Sequence, residues 1–168
     1  MLTSNISFKN FKIKKNFSNV RQKLALIIKN KNHVIQSLGK NYVDSYKKKQ
    51  LEKYKKSFYF RLIGMGGSTL GTQTIYSFLK HKVHKNFTFI DNLQSSHKNN
   101  NNNKNYTNLI ISKSGNTIET IANANVLIKN KNKNIFITEN KKNYLFLLAQ
   151  KLKADIIHHN NFIGGRYS

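Results

Sequence analysis

The stretch Ser112-Lys113-Ser114-Gly115-Asn116-Thr117-Ile118-Glu119-Thr120 places three hydroxyls, an ammonium and a glycine within its first six residues. A phosphate dianion needs several donors converging on it. Hydroxyls, the free backbone N–H groups of a helix start and one lysine supply them. Helix capping alone would use one or two of these side chains and leave the rest unexplained. Asn116 followed by Glu119 also fits a capping box, which predicts that the following helix takes Asn116 as its N-cap.

A second candidate is Gly64-Met65-Gly66-Gly67-Ser68-Thr69-Leu70-Gly71, which follows an apolar run and opens a helical one. Glycines let backbone approach a ligand closely and adopt positive φ, so this turn suits an anion or a polyol. It lacks the Gly-Lys-Ser/Thr ending of a Walker loop. The dinucleotide fingerprint is nearly met by Gly64 and Gly66, but Thr69 stands where the third glycine belongs, and Asp91, the one acid placed to hold a ribose, is 27 residues from Gly64. Taken alone, the motif is weak evidence, because a purely structural tight turn would also account for it. The third candidate is Gly164-Gly165-Arg166-Tyr167-Ser168. Only Arg21, Arg61 and Arg166 are arginines among 30 basic residues, so an arginine kept here suggests a need for a fixed planar cation, as beside an oxyanion.

The other titratable groups point to less. His81 and His84 fall on a lysine-rich helix end and suit solvated C-terminal cations. His158 and His159 are adjacent and would point to opposite faces of a strand, so no metal site is expected.

In an open parallel sheet, ligands gather beyond the carboxyl ends of the strands, which is where all three candidates should lie. Short apolar runs predict strands over 58–63, 87–90, 109–111, 135–138 and 155–157, with amphipathic helices over 69–80, 117–129 and 143–153 between them. That alternation specifies an α/β domain built on a doubly wound, five-stranded parallel sheet. Upstream, apolar residues at helical spacing over 17–38, stopped by Gly39, and a weaker pattern over 42–55 predict an N-terminal helical arm packing on the main body. The expected division is a helical extension over 1–56 and a ligand-binding domain over 57–168. The low-complexity segment 95–105 offers nothing to bury and reads as a mobile surface loop where a crossover helix would otherwise fall.

Composition narrows the function further. The 168 residues carry 30 basic and 6 acidic side chains, a formal charge of 30 − 6 = +24, but the lysines are dispersed among asparagines along the chain. Base and phosphate recognition on nucleic acid favours the arginine fork, so no nucleic-acid partner is expected. The absence of Cys excludes disulfides, thiolate catalysis and zinc knuckles. No apolar run approaches the roughly 20 residues of a membrane span, and the start of the chain lacks the pattern of an export signal. A cytoplasmic protein without a membrane partner is the expectation.

Three segments, 63–71, 112–120 and 163–168, resemble in order the successive signatures of the glucose-6-phosphate isomerase family. The resemblance covers roughly residues 58–168 and implies a sugar isomerase domain. By that resemblance, Gly67 and Ser68 belong to a sugar-binding turn, Ser112, Lys113, Ser114 and Thr117 hold the substrate phosphate, and Arg166 is the catalytic arginine near C1 and C2. The family interconverts glucose 6-phosphate and fructose 6-phosphate through a cis-enediol, usually as a homodimer, with no metal or organic cofactor. Its carboxylate base, histidine and lysine come from a second domain, and none of Asp44, Glu52, Asp91, Glu119, Glu139 or Asp155 sits in the base motif. The chain therefore looks like the N-terminal portion of such an isomerase, missing the second domain and inactive alone. The alternative is a stand-alone phosphosugar-binding module that does not catalyse.

Overall fold

The computed structural model of the chain describes residues 18–30, 32–93, 104–129 and 132–164. The chain forms two compact units, Met1–Tyr42 and Val43–Ser168. In the first, the spacing over 17–38 predicts one helix, but there are two, α1 (Ser18–Lys29) and α2 (His33–Gln36). Asn32 is the reason. Its side chain accepts the Val34 N–H at 2.8 Å and so caps α2, the local bond by which asparagine competes with helix continuation. Gly39 closes the segment as expected, its N–H bonding the Gln36 carbonyl at 3.0 Å.

The second unit runs α3 (Lys48–Glu52), β1 (Tyr59–Ile63), α4 (Gly67–Leu79), β2 (Asn86–Ile90), β3 (Tyr106–Ile111), α5 (Ile118–Leu127), β4 (Lys133–Glu139), α6 (Tyr144–Lys151) and β5 (Asp155–His159). All five strands are parallel, in the order β2-β1-β3-β4-β5. The chain starts near the middle of the sheet and winds outward in both directions, which puts helices on both faces. On one face Ile63, Ile110 and Phe136, neighbours in register, meet Ala124 and Leu127 of α5 and Leu145 and Ala149 of α6 in the main core. On the other, Phe60 stacks on Phe87 at 5.1 Å, and Tyr76 of α4 tilts against Phe87 and Phe89. This is the doubly wound architecture that the alternation of patterns specifies. The crossover between β2 and β3 includes residues 94–103, so the reading of 95–105 as a loop falls largely outside the described residues.

The weak pattern over 42–55 yields only the short helix α3. The surrounding residues are drawn into bonds with edge strand β5. Ser45 Oγ donates to the His158 carbonyl, Tyr54 Oη to the Asp155 carboxylate, and Lys53 Nζ pairs with that same carboxylate at 2.6 Å. Tertiary bonds outweigh the local helix propensity of this lysine-rich stretch. Burial of the Tyr54 ring, and then the carboxylate its hydroxyl serves, push the phenol well above its ordinary range.

Arg61 of β1 sits with its guanidinium 4.2 Å from the Tyr106 ring centre and donates to the Leu127 carbonyl at 3.2 Å. It thus holds the carboxyl end of α5, where a cation is favoured, and leaves the amino end of that helix at the opposite edge of the sheet. Burial lowers its pKa, against a smaller raising effect from Tyr106, yet a guanidinium stays charged. Among the described residues, no helix is long and apolar enough to cross a membrane.

Phe136, fully buried at the centre of β4, is the largest side chain in this core. Phe136→Ala should cost about 3–5 kcal/mol of stability by the usual cost of a core aromatic truncation. Urea denaturation checks this, and a loss below about 1 kcal/mol would mean that the sheet is not packed around this ring.

Candidate functional site

β3 and β4 run side by side, and their pairing continues past the end of β3. Ser112 N donates to the Ile137 carbonyl at 3.1 Å and Glu139 N to the Lys113 carbonyl at 3.0 Å. The chain then turns at Gly115 and enters α5. The Ser112 hydroxyl is buried in the bend, 2.9 Å from Thr117 Oγ1 and 3.5 Å from Ser114 Oγ, and accepts the Gly115 N–H at 3.2 Å. Ser114 Oγ accepts the Asn116 N–H at 3.3 Å. Three hydroxyls and the amino end of a ten-residue helix therefore converge on one spot, with partial positive charge from the helix behind them.

The helix begins one residue later than the capping box requires. Thr117, not Asn116, is the N-cap, and no side-chain bond caps the helix there, because the Thr117 hydroxyl faces Ser112. Asn116 instead accepts the Tyr144 N–H at 3.0 Å, reaching across to the start of α6. That bond belongs to a seam between the two turns. Leu145 N donates to the Gly115 carbonyl at 3.1 Å, Thr138 Oγ1 to the Lys113 carbonyl at 3.2 Å, and Asn143 Nδ2 to Thr138 Oγ1 at 3.0 Å. Asn143 Oδ1 meanwhile accepts the Phe146 N–H at 2.9 Å and caps α6. Thr138 and Asn143 are buried positioning residues that the sequence reading missed. The only available signal was an asparagine ahead of a helical run, which by itself says cap and nothing about the neighbouring turn.

The turn after β1 completes the arrangement. Gly66 adopts φ +54° ahead of α4, a backbone that favours glycine, and so brings Gly67 and Ser68 to the same end of the sheet. Gly67, Ser68, Ser112, Lys113, Ser114 and Thr117 all line one open cleft of about 490 Å³. Two residues that the sequence reading did not place there, Glu139 and Lys141, line it as well. Glu139 Oε1 lies 3.7 Å from Lys113 Nζ and its Oε2 lies 3.1 Å from Lys141 Nζ. The hydrogen bond from Lys141, helped by the charges of both ammoniums and opposed by partial burial, holds the Glu139 carboxyl below its usual range. Gly164, the last described residue, runs against Lys113, since a Cβ on it would come within 2.5 Å of Nζ. Arg166 lies outside the described residues, as do Gly165, Tyr167 and Ser168. Asp91, the alternative ribose acid, accepts a bond from Gln73 Nε2 at 3.1 Å.

The fold and the placement of the turns define the class first: this is a doubly wound α/β domain with an open cleft at the carboxyl ends of its central strands. It superposes on a hypothetical protein from Thermus thermophilus with a TM-score of 0.61 and 22% identity, covering 71% of this chain and 32% of that one. It also superposes on the tagatose-6-phosphate ketose/aldose isomerase of Escherichia coli, with a TM-score of 0.53 and 21% identity over 66% of this chain and 32% of that one. In sequence, the chain is similar to two glucose-6-phosphate isomerases. That of Borreliella afzelii is 38% identical over 124 residues, covering 63% of this chain and 23% of the relative. That of Borrelia garinii subsp. bavariensis is 37% identical with the same coverage. The chain thus spans about a quarter of the length of the curated relatives it matches. No protein-family model matches it.

The shape of the cleft depends on Gly115. Its φ is +67°, and a Cβ there would lie 1.9 Å from Asn143 Oδ1. Gly115→Ala should therefore combine backbone strain with displacement of the α6 cap, for a loss of about 2–4 kcal/mol. Denaturant unfolding measures it, and a change within about 0.5 kcal/mol, the usual surface value, would contradict the seam.

Proposed function

We propose that the chain is the phosphosugar-binding domain of a glucose-6-phosphate isomerase. The observation that carries this reading is the convergence of Ser112, Ser114, Thr117, Lys113 and the start of α5 on one open cleft. The similarity to named glucose-6-phosphate isomerases supports it. The domain runs from about residue 57, with segment 43–56 strapped along β5.

In this reading the phosphate dianion takes hydrogen bonds from the three hydroxyls and charge from Lys113, while Gly67 and Ser68 face the sugar. Anchoring the phosphate far from the reacting carbons fixes C1 and C2 in register and contributes binding energy remote from the chemistry. Isomerisation then moves a proton between C2 and C1 through a cis-enediolate. Arg166 is assigned to the oxygens of that intermediate, and the approach of Gly164 to Lys113 is consistent with it.

A base is the part the described cleft does not offer. Glu139 is the acid lining it, and its carboxyl is shifted away from the near-neutral pKa that suits a general base. Asp155 is tied to Lys53 and Tyr54, Glu52 to Lys55, and Asp91 to Gln73. This favours a chain that binds sugar phosphate without turning it over alone. The base, a histidine and a further lysine would come from a second domain of a cytoplasmic homodimer. The same observation keeps a second reading in play, a binding module with no catalytic role, and the two separate by whether any turnover appears when the remainder of a relative is supplied.

Fructose 6-phosphate at about 100 times its Kd should stabilise the protein by about 2.7 kcal/mol and raise its melting midpoint, because only a ligand that prefers the folded state does so. NAD and a DNA oligonucleotide should not. Ser114→Ala and Thr117→Ala should each cut that shift by at least half with the ligand-free midpoint nearly unchanged. An undiminished shift in both variants would remove the hydroxyls from the anchor.

A further inference from the structure

The cleft proposed to take a dianion already contains an anion. Only 6 of 168 residues are acidic, yet one of them, Glu139, stands beside the hydroxyl cluster with its side chain 13% exposed. Its position is set by the backbone, since Glu139 N bonds the Lys113 carbonyl at the last rung of the β3–β4 pairing. The next turn folds Lys141 back, its N–H bonding the Glu139 carbonyl at 2.8 Å. Each carboxylate oxygen then faces a different ammonium, Oε1 that of Lys113 and Oε2 that of Lys141. Both lysines stay partly solvated, at 33% and 65% exposure, so both can swing.

Resting on the phosphosugar reading, we propose that Glu139 is a resident counter-anion occupying the two ammoniums of the empty cleft, and that Lys141 is a second phosphate-binding cation released to the ligand as it enters. Binding is then an exchange of partners. The phosphate dianion, with twice the charge of the carboxylate and several acceptor oxygens, draws Lys113 and Lys141 away from Glu139. Two consequences distinguish this from a purely structural ion pair. Removing the carboxylate removes a competitor and a like charge, so affinity rises. Removing Lys141 removes a ligand cation, so affinity falls, and by more than the loss of one unit from a net charge of +24 would produce.

The test is calorimetric titration of fructose 6-phosphate into the chain and three variants at fixed ionic strength and neutral pH, with ligand-free melting recorded for each. Glu139→Gln should bind about tenfold tighter and Lys141→Met about tenfold weaker, the order expected of a charged hydrogen bond in a partly solvated site. Lys151→Met, which removes the same charge from the last turn of α6, should stay within about twofold of the parent. If the parent binds and Glu139→Gln is unchanged or weaker, or Lys141→Met matches Lys151→Met, the exchange is wrong while the phosphosugar reading stands. If the parent fails to bind at all, both fall. Should Glu139→Gln not fold, the comparison of the two lysine variants decides the matter alone.

Discussion

The site depends on one constraint, the parallel pairing of β3 with β4 carried past the end of β3. Because Ser112 and Glu139 both donate backbone bonds across that gap, the turn after β3 cannot move without the turn after β4. Antiparallel neighbours would place one turn at each end of the sheet. Parallel strands put both at the same end, with the amino ends of α5 and α6 beside each other and their dipoles aimed the same way. The partial positive charge gathered at this end of the sheet follows from topology before any side chain is considered.

Side chains then fix the turn's shape. Asn143 has two roles, capping α6 with its oxygen and steadying Thr138 with its nitrogen, while Thr138 holds the Lys113 carbonyl. The chain from β4 back to the β3 turn is thus a run of satisfied buried polar groups, the kind of network that specifies a single geometry when complete. Gly115 is the residue that lets the two turns come this close. The hydroxyls of Ser112, Ser114 and Thr117 bond to one another and to backbone N–H groups, an arrangement in which each can be redirected by rotating an O–H.

Electrostatics on two scales act differently here. The whole molecule is strongly cationic, a property of lysines scattered along its chain, which attracts anions without choosing among them. Within the cleft the balance is nearly local, with Lys113 and Lys141 set against Glu139. Any choice among anions would belong to that smaller scale, because a partly enclosed charge is screened less than an exposed one and its directions are fixed by hydrogen bonds.

The order of strands and helices was legible in the sequence, because short apolar runs and helical apolar spacing are local signals, and the five strands and α4, α5 and α6 each carried one. The grouping of Ser112, Lys113, Ser114 and Thr117 was legible for the same reason, as these residues are neighbours along the chain. What a bond can do when its partner is distant was not legible. Asn116 has the chemistry to cap α5 or to accept from Tyr144, options of similar local energy, and only the packing of α6 against the turn selects the second. Likewise nothing near Glu139 in sequence marks it as a neighbour of Lys113, 26 positions earlier; their meeting is decided by strand register, a property of the folded sheet and of no single segment.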